Sequence, residues 1–117
     1  FTRVYGRKRS ASAGPLVMYA APNWRADGGA RLGLSVSRRV GGAVVRNRWK
    51  RVLREAFRQV RGDLPAGNDF IVVVRSGPVP GGVVAARELR DSLVTLARKI
   101  VARPGYAADR DDARRER

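Results

Sequence analysis

The sequence predicts an α+β fold, a sandwich of helices packed on one sheet. Three patterns carry that prediction. Asp69–Arg75 encloses an unbroken, mostly β-branched apolar run, as a strand buried on both faces requires. Arg31–Ser37 alternates with period two, setting Leu32, Leu34 and Val36 on one face and Gly33 and Ser35 on the other. Residues 43–60 and 83–101 instead repeat apolar positions at steps of three and four, the spacing of one helix face. With 117 residues there is room for one core and not for two.

In chain order, Phe1, Val4 and Tyr5 have helical spacing and Gly6 permits a stop, so a helix end opens the chain. The only methionine is Met18, and a natural N-terminal segment is expected ahead of Phe1. Arg7-Lys8-Arg9 leads into a Ser/Ala/Gly stretch up to Pro15, read as loop or weak edge strand. Leu16–Ala21 is a strand that Pro22 ends. Asp27-Gly28-Gly29 marks a turn, and the strand Arg31–Ser37 follows it. These two strands are expected to pair antiparallel. Arg38-Arg39-Val40-Gly41-Gly42 is a basic loop.

The helix from about Ala43 to Val60 turns Val45, Trp49, Val52, Leu53, Ala56, Phe57 and Val60 toward the core, so Trp49 is read as a packing residue. Pro65 and Gly67 fall in the connection to Asp69–Arg75, and Ser76–Gly82 is a second loop. The last helix, about Val83 to Val101, buries Ala86, Leu89, Leu93, Leu96, Ala97 and Ile100. Arg103-Pro104-Gly105 stops it. Residues 1–102 then form the folded domain, and 103–117 a charged tail with nothing to bury, expected to be disordered. The order read from the residues is α-β-β-α-β-α.

Composition narrows the function. Twenty-five Lys+Arg against 10 Asp+Glu leave a net charge of +15. All but three of those cations are arginine, the lysines being Lys8, Lys50 and Lys99. Such a self-repelling surface needs a polyanion to meet. The absence of Cys excludes disulfides, zinc fingers, iron–sulfur clusters and thiol catalysis. The absence of His excludes Ser-His-Asp hydrolysis and two-His zinc sites. No apolar run approaches the ~18–20 residues of a membrane span, and no signal peptide is visible. A cytoplasmic protein with no membrane partner is expected.

Between Arg31 and Arg61 lie ten cations and one acid, Glu55. A helix N-terminus carries about half a positive charge, which favours acids in its first turn. Here the opening turns hold Arg46, Arg48, Lys50 and Arg51 and no acid. Alone, that placement opposes the dipole. A bound phosphate reverses the sign, because backbone N–H groups and guanidinium forks then converge on one anion. A helix with a merely solvated face would alternate charge signs to gain i,i+4 pairs.

The run Gly41–Glu55, GGAVVRNRWKRVLRE, resembles the signature of the bacterial ribonuclease P protein subunit, in which R-N-R-x-K-R-x-x-R-E opens the basic helix. The likeness extends upstream through Gly33-Leu34-Ser35-Val36-Ser37-Arg38-Arg39 and covers roughly Phe1 to Val101. It implies an α-β-β-β-α-β-α order with a mixed four-stranded sheet and three helices. It also implies a left-handed β-α-β crossover, as in the ribosomal protein S5 domain 2-like fold. The fourth strand would be the weak segment around Ser10–Ala13.

The resemblance further implies a non-catalytic subunit whose RNA partner removes the 5′ leader of precursor tRNA, using Mg²⁺ held mainly by that RNA. No protein metal site, catalytic side chain or obligate protein partner is implied. Arg38, Arg39, Arg46, Asn47, Arg48, Lys50, Arg51 and Arg54 would bind the catalytic RNA. Phe1, Tyr5 and Tyr19 match the aromatic positions that stack on the leader. A helix cap is the alternative for Asn47, and core packing for the aromatics. Two rival classes stay open, a small basic ribosomal protein and a DNA-binding domain using helix 43–60. Against the second, the polar face offers one Asn and mostly arginine for base reading.

Overall fold

The computed structural model describes residues 9–23, 29–104 and 106. The expected first helix, with Phe1 and Tyr5, lies outside the described residues, as do turn positions 24–28 and most of the expected tail. Four strands form one mixed sheet: β1 (Ser10–Ala13), β2 (Leu16–Pro22), β3 (Arg31–Val36) and β4 (Asn68–Val74), in the order β1-β2-β4-β3. Among the described residues two α-helices accompany it, α1 (Ala43–Val60) and α2 (Gly82–Val101).

β1 and β2 form a hairpin in which Ala13 pairs with Leu16. Its loop is Gly14, at φ 55, and Pro15. Glycine supplies the positive φ that a two-residue hairpin needs, and proline's fixed negative φ suits the second position. The weak segment is therefore a strand.

The antiparallel pairing expected between Leu16–Ala21 and Arg31–Ser37 does not occur. β4 lies between them, antiparallel to β2 and parallel to β3. The reason is hydrophobic: Phe70, Ile71, Val72 and Val74 are all at most 1% exposed, so the most apolar strand takes the centre.

Strand alternation splits the sheet into two faces. One carries Leu16, Met18, Ala20, Phe70, Val72 and Val74, and packs with Trp49, Leu53, Ala56 and Val60 of α1 and Leu89, Leu93 and Ile100 of α2. The other carries Tyr19, Ala21, Ile71 and Val73 as a separate small cluster. Trp49 is buried, as expected, and its indole Nε1–H donates to the Gly77 carbonyl at 3.2 Å.

Tyr106 stands beyond residue 102 yet is buried in the main core. Its hydroxyl donates to Asn68 Oδ1 at 2.7 Å, while Asn68 Nδ2 donates to the carbonyls of Pro65 and Ala66. The packed chain thus reaches past the end of α2.

Candidate nucleic-acid interface

The basic loop and α1 are built as one unit. After β3, Ser37 Oγ accepts from the Arg39 N–H at 3.2 Å and starts a 3-10 turn over Arg38–Val40. Gly41 then closes the loop onto the helix at φ 154, and a Cβ there would meet Val45 Cβ at 3.0 Å. A side chain at that position would crowd Val45 and strain the backbone at this positive φ. Gly42 is the N-cap and brings no side chain to the first-turn amides.

Acids are absent from the first turn of α1. Free N–H groups and cations therefore share the helix start, as the sequence predicts, and nothing in the turn offsets their charge.

The apolar stripe decides where the cations go. Burying Trp49, Leu53, Ala56 and Val60 aims the opposite side of α1 at solvent. Arg38, Arg39, Asn47, Arg48, Arg51 and Arg54 are exposed, and Arg46 and Lys50 half-buried. Among the described residues, none of these seven cations makes an ion pair. Arg46 Nε is buried without a hydrogen-bond partner among the described residues. Asn47, Arg51 and Arg54 line one shallow depression together with Glu55 and Arg58.

Arg58 lies on the same side but is engaged. It donates to both Glu55 carboxylate oxygens, at 3.1 and 2.5 Å, and Gln59 Nε2 adds a bond of 2.9 Å. The Arg58 hydrogen bonds, then that of Gln59, hold the Glu55 carboxyl down at about 2. Helical spacing offers Glu55 two partners, Arg51 four residues before it and Arg58 three after, and the structure pairs it with Arg58.

Tyr19 is elsewhere. It stands half-buried on the sheet face away from α1, opposite Ile71 on β4 and Ser10 on β1. At one end of that face, Asp69 accepts from Arg31 Nε at 2.7 Å and Nη2 at 2.6 Å, and from Asn23 Nδ2 at 2.8 Å. Sequence reading missed this cluster, whose members lie 38 and 46 positions apart. The structure sets these seven cations and Asn47 along the basic loop and α1, and Tyr19 on the sheet face away from α1. Among the described residues no cluster of three acids could hold a metal ion, and no helix is long and apolar enough to cross a membrane.

A four-stranded mixed sheet backed by two helices, one of them opening with unpaired cations, defines a small basic α+β protein organised around a cationic helix. Comparisons specify which. The family model described as Ribonuclease P matches residues 1–101. The Shouchella clausii ribonuclease P protein component is 37% identical over 114 residues, covering 97% of this chain and 90% of that protein. The Brevibacillus brevis protein component is 33% identical over the same shares. Among solved structures, the Staphylococcus aureus RNase P protein superposes with a TM-score of 0.66 at 31% identity, over 87% of this chain and 88% of that one. The Thermotoga maritima RNase P protein gives 0.69 at 26%, over 85% and 89%. The chain belongs to the ribonuclease P protein component family.

Proposed function

We propose that this protein binds the catalytic RNA of ribonuclease P through the basic loop and α1, and the 5′ leader of precursor tRNA on the opposite sheet face. Arg38, Arg39, Arg46, Asn47, Arg48, Lys50, Arg51 and Arg54 contact the catalytic RNA, and Phe1, Tyr5 and Tyr19 stack on the leader. One observation carries the reading: a helix start with free amides and no acid, flanked by seven cations that lack an ion pair among the described residues. Phosphates are the ligands that make such a placement favourable. The RNA performs the cleavage in the cytoplasm with Mg²⁺ held mainly by the RNA. Finer topology belongs to the same proposal: a third helix near Phe1 and a left-handed β3-α1-β4 crossover, as in the ribosomal protein S5 domain 2-like fold.

Replacing each of Glu55, Asp63, Asp69, Glu88 and Asp91 by its amide tests the division of labour. Reconstituted precursor-tRNA cleavage at saturating substrate should stay within a few fold for every folded variant. Asp69→Asn should lose stability, because Arg31 and Asn23 both depend on that carboxylate. A fall of several orders of magnitude in the chemical step of one folded variant would mean the protein supplies a catalytic carboxylate.

A further inference from the structure

β3 is an edge strand, paired with β4 on one side only. Just past its end, the Ser37 N–H donates to the Val74 carbonyl at 3.0 Å. Backbone groups alternate along a strand, so those of Gly33 and Ser35 also turn to β4, and those of Leu32 and Leu34 turn to the open edge. Neither pair of groups has a partner among the described residues.

Between that edge and α1 runs a groove of about 530 Å³. Leu32, Leu34 and Phe57, all half-buried, form its apolar lining, and Lys50, Arg54 and Arg61 line it with charge. Arg31 also lines it but is held by Asp69. No acid lines the groove, and Lys50, Arg54 and Arg61 have no ion pair among the described residues.

Three features therefore meet in one place: an apolar lining with an aromatic ring, open backbone donors and acceptors, and cations without acids. A plain phosphate site has no use for the first two. A protein strand added to β3 would use the backbone groups but leave three cations unanswered. An unpaired nucleotide uses all three, through its base face, its base edge and its phosphate.

We propose that the groove between β3 and α1 receives one unpaired nucleotide of an RNA. Its base rests against Leu32, Leu34 and Phe57, its edge bonds to the β3 backbone, and its phosphate meets Lys50, Arg54 and Arg61. The site rests on the proposed RNA-binding role of α1 and is separate from the Tyr19 face. Duplex RNA does not fit, because its base faces are stacked and its edges paired.

The probe is a single-stranded RNA octamer with a central 2-aminopurine, compared with the same octamer annealed to its complement. Amide NMR of the full chain should show Leu32 and Leu34 shifting with the single strand and not with the duplex. Phe57→Leu should weaken single-strand binding about five-fold or more. Arg61→Gln should lower the log–log salt slope by about 0.7, and its exposed position keeps this arm readable even if Phe57→Leu melts early. Shifts confined to the Asn47–Arg51 amides, with β3 unmoved, would overturn the groove and leave RNA binding by α1 standing. Failure to bind either RNA would overturn both. Shifts at Leu32 and Leu34 with a decapeptide of alternating Glu and Val, and none with RNA, would make the edge a protein-docking strand and refute the nucleotide site.

Discussion

Asn68 shows how one side chain ties the chain's end to the sheet. It is 5% exposed at the first position of β4, and its amide holds the preceding turn while its Oδ1 accepts from Tyr106. Tyr106→Phe keeps the ring's packing and removes that donor. A buried acceptor left unmade costs ~1–3 kcal/mol, so denaturant unfolding should show a loss of that size. No loss would mean the hydroxyl bond contributes nothing. A lone aromatic in a charged, non-periodic stretch carries no local sign of burial, so the sequence reads Tyr106 as tail. Glu55 titrates unlike an ordinary glutamate. Its folded value near 2 lies below the usual 4.5, so pairing with Arg58 favours the folded state fully above 4.5. That contribution fades as pH falls from 4.5 toward 2. Carboxyl NMR should place its midpoint well below that of a free glutamate, and Arg58→Ala should return it most of the way.

At the scale of elements, α1 is where local pattern and tertiary structure agree most closely. Its predicted span, Ala43 to Val60, is the observed one, because the apolar stripe, the preceding glycines and the absence of any breaker all mark the same ends. β4, read as Asp69–Arg75, is observed one residue earlier at Asn68–Val74, and α2, read from Val83, begins at Gly82. Strand partnership was less legible: pairing is non-local, and adjacency in sequence pointed to β2 with β3 while β4's two apolar faces claimed the centre. The β3 groove depends on that edge position and was invisible for the same cause. The proposed role of α1 predicts a specific electrostatic behaviour. Affinity for the catalytic RNA should fall steeply with salt, and Arg48→Ala should lower the log–log slope by roughly 0.7 to 0.9 as well as weaken binding. An unchanged slope with unchanged affinity would make Arg48 solvated surface.

For the whole molecule, the sheet separates two surfaces with different physics. The helix side presents the cations of α1, suited to phosphates, and the other side presents Tyr19 over Ile71 and Val73, suited to stacking. Strand alternation alone puts Tyr19 with Val17 and Ala21, away from Leu16, Met18 and Ala20. That α1 covers the latter face follows only from the assembled fold. If the two surfaces serve two RNAs, damage to one should spare the other. The direct measurement is the ratio of precursor to mature tRNA affinity for the holoenzyme assembled with wild-type or Tyr19→Ala protein, with folding followed by thermal melting. The variant should bind precursor tRNA ~1–3 kcal/mol more weakly, bind mature tRNA unchanged and assemble with the catalytic RNA normally. Equal loss toward both tRNAs, or a sharp drop in melting temperature, would contradict the two-surface account and return Tyr19 to the core.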